Sequence, residues 1–299
     1  MFQKLLLVTA LLVSVSLFSV GCTQPKKTNE ISTTKQTVQS RIINGTPVLE
    51  SDVLTKSTAG LMMHYEYEVG EKVWFQGCSA SVLAKRFILT AAHCVKGSEA
   101  TDLAVNFTIN TFTSQQQMNG QTRVKDIHNN SKFVIRNVKA LVTHPDYNGT
   151  GDNDIAVLML DADIPETAVP VTFLPEQYLK TGEFNTTLDG QKVQVTLLGF
   201  GIISETAETE TEVMRKTTLP ARFENRFVVT DQTQGTGGCF GDSGGPAYFD
   251  IDGKTYLVGV THGPHPGSSS CHEEGEWLNP SLFQKYLTDS MGQLASGIK

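Results

Sequence analysis

The feature that most narrows the fold is a succession of short runs rich in Val, Ile, Thr and Phe, each closed by turn residues. They occupy residues 74–83, 86–90, 102–113, 133–143, 155–160, 192–200, 226–230 and 256–260. β-Branched and aromatic side chains fit a pleated, half-buried surface, so such runs read as strands. Residues 91–95 allow one helical turn. Helical spacing over a longer stretch occurs once, where Ser281 can cap a helix carrying Leu282, Phe283, Tyr286 and Leu287 on one face. No internal repeat is visible. Many short strands and one terminal helix predict an all-β protein built from barrels or sandwiches.

With 299 residues, 39% of them apolar, the chain can fill one large domain or two small ones. Its net charge of −7 and the lack of a basic stripe give no support to nucleic-acid binding. The beginning reads as an export signal: Lys4, an apolar run over 5–20, then Gly21-Cys22. That run is short for a stable membrane span of roughly 20 residues. Val20-Gly21-Cys22 resembles the end of a bacterial lipoprotein signal, although Ser19 stands where Leu is usual. The resemblance implies a lipid on Cys22 and a chain held at the cell envelope; an ordinary cleaved signal is the alternative. Residues 23–40 are polar and cannot form a core, so they read as a flexible tether, with structure beginning near Arg41. Four cysteines remain, Cys78, Cys94, Cys239 and Cys271. An even number in an exported chain suggests two disulfides, with three pairings open. A zinc site would need paired Cys-x-x-Cys spacing, which is missing.

Three motifs carry chemistry. In Gly241-Asp242-Ser243-Gly244-Gly245-Pro246, glycines around Ser243 allow a tight exposed turn and close approach of a substrate backbone. The N–H groups of Gly241 and Ser243 can converge on a developing oxyanion. In Leu89-Thr90-Ala91-Ala92-His93-Cys94, an imidazole follows an apolar strand and small residues, suited to take a proton near neutral pH. In Asp152-Asn153-Asp154-Ile155, Asp154 adjoins a buried strand and can hold that imidazole's tautomer, whereas Asp152 decorates the preceding turn.

Taken in the order His, Asp, Ser, these motifs resemble those of the chymotrypsin/trypsin family of serine proteases. The resemblance runs from Ile42 to the last helix and is dense only at the motifs. It implies two antiparallel six-stranded β-barrels followed by a C-terminal α-helix. Residues 1–22 would be signal, 23–41 tether and propeptide, and 42–299 the protease domain. Within that domain barrel 1 would cover about 42–165, barrel 2 about 166–280 and the helix about 281–290. His93, Asp154 and Ser243 would form the triad of an endopeptidase working without a cofactor, as a monomer, on proteins or peptides. The resemblance also implies the pairings Cys78–Cys94 and Cys239–Cys271. Arg41-Ile42-Ile43-Asn44-Gly45 resembles the family's activation junction, with Asn44 in place of the usual Gly. An activating protease would cut after Arg41, and the new amine of Ile42 would pair with Asp242. Trypsin-like members carry an Asp six residues before the nucleophile, where this chain has Gly237. The pocket would be formed by Gly237, Gly238 and Phe240, with Thr261 and His262 on the opposite wall, which departs from the usual Ser-Trp-Gly. His262 and His265 allow a preference for acidic side chains; otherwise His262 lines the wall of an uncharged pocket and His265 sits in a solvated loop. A protease-like binding protein that has lost activity, or an esterase using the same residues, are the rival functions.

Overall fold

The computed structural model describes residues 42–68, 71–111, 127, 130–180, 186–203 and 213–297. Cys22 and Arg41, with the signal, the tether and the expected cleavage bond, lie outside the described residues.

The fold is two antiparallel six-stranded barrels and a C-terminal helix. The first barrel uses β2 (Thr58–Glu68), β3 (Glu71–Ala84), β4 (Phe87–Thr90), β5 (Leu103–Asn106), β6 (Ile135–Thr143) and β7 (Ala156–Leu160). They close in the order β2-β3-β4-β7-β6-β5. The second uses β8 (Lys192–Gly199), β9 (Arg215–Glu224), β10 (Phe227–Asp231), β11 (Pro246–Ile251), β12 (Lys254–Pro264) and β13 (Glu274–Leu278). Their order is β9-β10-β13-β12-β11-β8, and pairing of β8 with β9 completes the ring. Among the described residues closure leaves no long unpaired edge, which is how such sheets avoid pairing with other chains.

Residues buried on both faces mark the strands between barrel interior and outer packing. All five residues of β7 are buried. Ile88, Leu89, Val157 and Leu158 share a core with Leu198, Tyr248 and Val260 of the second barrel, so apolar packing joins the barrels. Val195, Leu219, Phe223, Val258 and Trp277 fill the second barrel, together with Ile42.

Several expected boundaries change. Residues 46–47 form a short β1 that pairs with β9, and Ile43 bridges to Gly237. The first residues of the protease domain therefore belong to the second barrel's sheet, although the chain next builds the first. Of the strand expected over 102–113, the described residues form β5 after a 3₁₀ turn at 100–102, and 112–113 lie outside the described residues. The terminal helix begins as a 3₁₀ turn at Pro280–Phe283 and continues as α1 (Gln284–Ser296). Ser281 does not cap it: Asn279 accepts from the Ser281 N–H, and the Ser281 hydroxyl accepts from the Leu174 N–H. Phe283, Leu287 and Leu294 pack into the cluster that joins the barrels, and the helix lies against β6 and β7 of the first.

Candidate active site

His93 sits on a 3₁₀ turn, Ala92–Cys94, directly after β4. Ala91 and Ala92 are fully buried, and the Cys78–Cys94 disulfide fastens the turn to β3. Asp154 enters from the end of a tight loop leading into β7. Asn153 has a φ of 62°, and the Asp154 N–H donates to the Gly151 carbonyl. Asp152 points away, 3.7 Å from Arg226.

The Asp154 side chain is completely buried and holds His93 at two points. The His93 backbone N–H donates to Oδ1 at 2.8 Å, and the ring Nδ1 lies 2.6 Å from Oδ2. A third donor arrives from β12, where His262 Nδ1 lies 2.6 Å from the same Oδ2. Burial on its own would push the Asp154 carboxyl up, but the bonds from His262 and His93 outweigh it and draw it down to about 2. An ionised carboxylate only accepts, so both imidazoles present Nδ1–H to it, and in the neutral ring the lone pair then lies on Nε2. Two groups of potential metal donors converge among the described residues, Cys78-His93-Cys94 and His93-Asp154-His262. In the first the sulfurs form the disulfide, and in the second the donors are hydrogen-bonded to one another.

Ser243 stands on a turn made possible by its glycines. Gly241 has a φ of 91° and Gly244 of 76°. A Cβ on Gly244 would collide with the Thr90 hydroxyl and the Ser79 carbonyl. This turn is sewn to both barrels. The Ser79 N–H donates to the Ser243 carbonyl at 2.8 Å, and the Ser79 hydroxyl to the Gly241 carbonyl at 3.0 Å. From the other side, the Gly244 N–H donates to the Thr261 carbonyl at 2.8 Å. Asp242 is buried and accepts from the N–H groups of Gly201 and Cys239.

His93 and Ser243 line one cavity of about 370 Å³, so the fold gathers the imidazole and the hydroxyl at the junction of the barrels. Gly238, Phe240, Thr261 and His262 also line it, with Phe240 two-thirds exposed. Gly237 does not. The Gln232 side chain lies against it, accepting from the Gly238 N–H and donating to the Cys271 carbonyl. The sequence reading missed Gln232 and Trp277, which line the cavity on its inner side. The Trp277 indole packs so close that a Cβ on Gly275 would strike it and one on Gly238 would come within 3.0 Å. Those two glycines were the available sign of a bulky neighbour. The Cys239–Cys271 disulfide forms part of the lining. His265 follows β12 in an exposed stretch, but its ring is turned in, with Nδ1 2.9 Å from buried Glu276.

Paired six-stranded barrels with a His–Asp couple and a glycine-bounded Ser at their junction define the chymotrypsin-like class. Residues 58–285 match the family model described as Trypsin, and the chain belongs to that family. It is 28% identical over 229 residues to a chymotrypsin of Phaedon cochleariae, covering 72% of this chain and 70% of that protein. Over 270 residues it is 25% identical to a trypsin-like protease of Streptomyces glaucescens, covering 85% of this chain and 84% of the relative. It is also 28% identical over 227 residues to the mouse (Mus musculus) atrial natriuretic peptide-converting enzyme, covering 70% of this chain but only 18% of that longer protein.

Proposed function

We propose that the protein is a serine endopeptidase that cuts peptide bonds after an uncharged side chain. The observation that carries this reading is the buried Asp154 gripping His93 at a cavity that Ser243 also lines. Ser243 Oγ attacks the carbonyl carbon while His93 Nε2 takes its proton. The oxyanion is met by the N–H groups of Gly241 and Ser243, each contributing about 3 to 4 kcal/mol to the barrier reduction. The tetrahedral species collapses, His93 returns the proton to the leaving amine, and an acyl ester remains on Ser243. Water, deprotonated by His93, repeats the sequence and frees the acid. Asp154 stabilises the imidazolium that exists in both steps.

The substrate's side chain enters a cavity faced by an indole, glycines and a carboxamide. None of the described residues lining the cavity is Asp or Glu, which argues against Arg or Lys. His262 and His265 are each engaged by a carboxylate of the protein, Asp154 and Glu276, which argues against an acidic preference.

Activation after Arg41 and a lipid on Cys22 complete the proposal. Ile42 is 1% exposed and belongs to the second barrel's core, so a chain beginning there has a site for its first residue. Cleavage would create an ammonium at Ile42, and the buried Asp242 carboxylate is its intended counter-charge. Fluorophosphonate labelling followed by mass spectrometry tests the reading: the label is expected on Ser243, and only in protein that begins at Ile42. A panel of para-nitroanilide peptides should show turnover after Leu, Met or Phe exceeding that after Arg or Glu.

A further inference from the structure

His262 does more than shape the cavity. Its Nδ1 and that of His93 each lie 2.6 Å from one oxygen, Oδ2 of Asp154, and the rings meet edge-on with centroids 5.9 Å apart. Two imidazoles divide a single carboxylate oxygen, and only one of them belongs to the triad. We propose that His262 is a positioning residue with a titration of its own: neutral, it helps hold Asp154 for His93, and protonated, it draws the carboxylate's charge to itself and silences the site. This rests on reading His93, Asp154 and Ser243 as the triad.

The surroundings of His262 make its protonation accessible. Gly151, before β7, lies against the ring, where a Cβ would come within 2.9 Å of it and 3.3 Å of Glu276 Oε2. Glu276, on β13, is held by His265 at 2.9 Å; His265 also lies 3.9 Å from Glu274, which is paired with Arg222. Asp152 acts from the loop, facing Arg226. Tyr147 senses Asp154 and carries Lys96 over its ring at 4.8 Å. Burial opposes charge on His262, but Asp154, Glu276 and Asp152 favour it and keep its pKa above the ordinary value. A cation there faces His93 across the shared oxygen. Imidazolium formation at His93, which the reaction requires, then meets a like charge instead of an undivided carboxylate.

The test compares kcat/KM against pH for the native protein, His262→Asn and His262→Ala, with fluorophosphonate labelling of Ser243 at the alkaline end. The acid limb of the native profile is expected to fall with a slope approaching two, and that of His262→Asn with a slope of about one, because Asn donates to Asp154 without titrating. His262→Ala should lose about ten- to a hundredfold at the alkaline plateau, and Asn should restore most of it. A native slope of one, matched by His262→Asn, overturns the inference while labelled Ser243 preserves the triad reading. Native protein that begins at Ile42 and stays unlabelled overturns both.

Discussion

At the scale of single residues, Asp154 is where burial and hydrogen bonding oppose each other most directly. Its carboxyl titrates at about 2, below an unfolded value of about 3.9. The sign follows from that order. Ionised Asp154 favours the folded state by about 2 to 3 kcal/mol, a contribution present in full above about pH 4 and lost as pH falls through about 2. Denaturant midpoints measured between these limits should fall more steeply for the native protein than for Asp154→Asn; equal slopes would contradict the assignment. In turnover, Asp154→Asn should cost about ten-thousandfold in kcat, a figure for triads of this family rather than one calculated from these distances. Measured at saturating substrate, a loss under tenfold would mean that His93 does not depend on this carboxylate.

At the scale of elements, β13 sets the depth of the cavity. Trp277 on that strand is 2% exposed, and Gly238 and Gly275 leave room for its ring. Trp277→Ala should raise kcat/KM for Phe relative to Leu before the cut by at least about tenfold, the usual scale for added pocket volume. It should also cost about 3 to 5 kcal/mol of stability, so the ratio of the two substrates, not the absolute rate, is the quantity to measure. An unchanged ratio would remove Trp277 from the specificity determinants. How far such elements were legible in the sequence depended on local pattern. The runs that became β4, β6 and β8 are rich in β-branched residues and β7 is an unbroken apolar run, so tertiary pairing agrees with local pattern there. β9 escaped notice because Arg215, Lys216, Pro220, Arg222 and Glu224 break the pattern, and its pairing with β8 and β10 fixes it as a strand. β13 reads Glu-Gly-Glu-Trp-Leu, and only its neighbours make a strand of it. The site was more legible, because Ser243, His93 and Asp154 stand in short motifs whose glycines, alanines and adjoining strand have local causes. Gln232 and the second imidazole on Asp154 depend on residues brought together from far along the chain, and no local spacing announces them.

At the scale of the whole molecule, the start of the domain is fastened to the half that carries Ser243. Ile43 accepts from the Gly237 N–H, Asn44 donates to the Gly235 carbonyl, and Arg215 donates to the Gly45 carbonyl. The two disulfides use Cys78, Cys94, Cys239 and Cys271, so none of these is left to tie a cleaved propeptide to the domain. Cutting after Arg41 should therefore move the protein from the membrane fraction to the soluble fraction, followed by immunoblot and N-terminal sequencing. Protein beginning at Ile42 that still sediments with membranes, in the absence of a partner, would refute release by activation.

The terminal helix carries a consequence for how the chain is made. Tyr286 on α1 donates to the carbonyls of Val142 and Ile155, the latter adjoining Asp154. A nascent polypeptide thus emerges with His93 and Asp154 long before Ser243, and the loop that carries Asp154 gains these two bonds only after the strands of both barrels have been made.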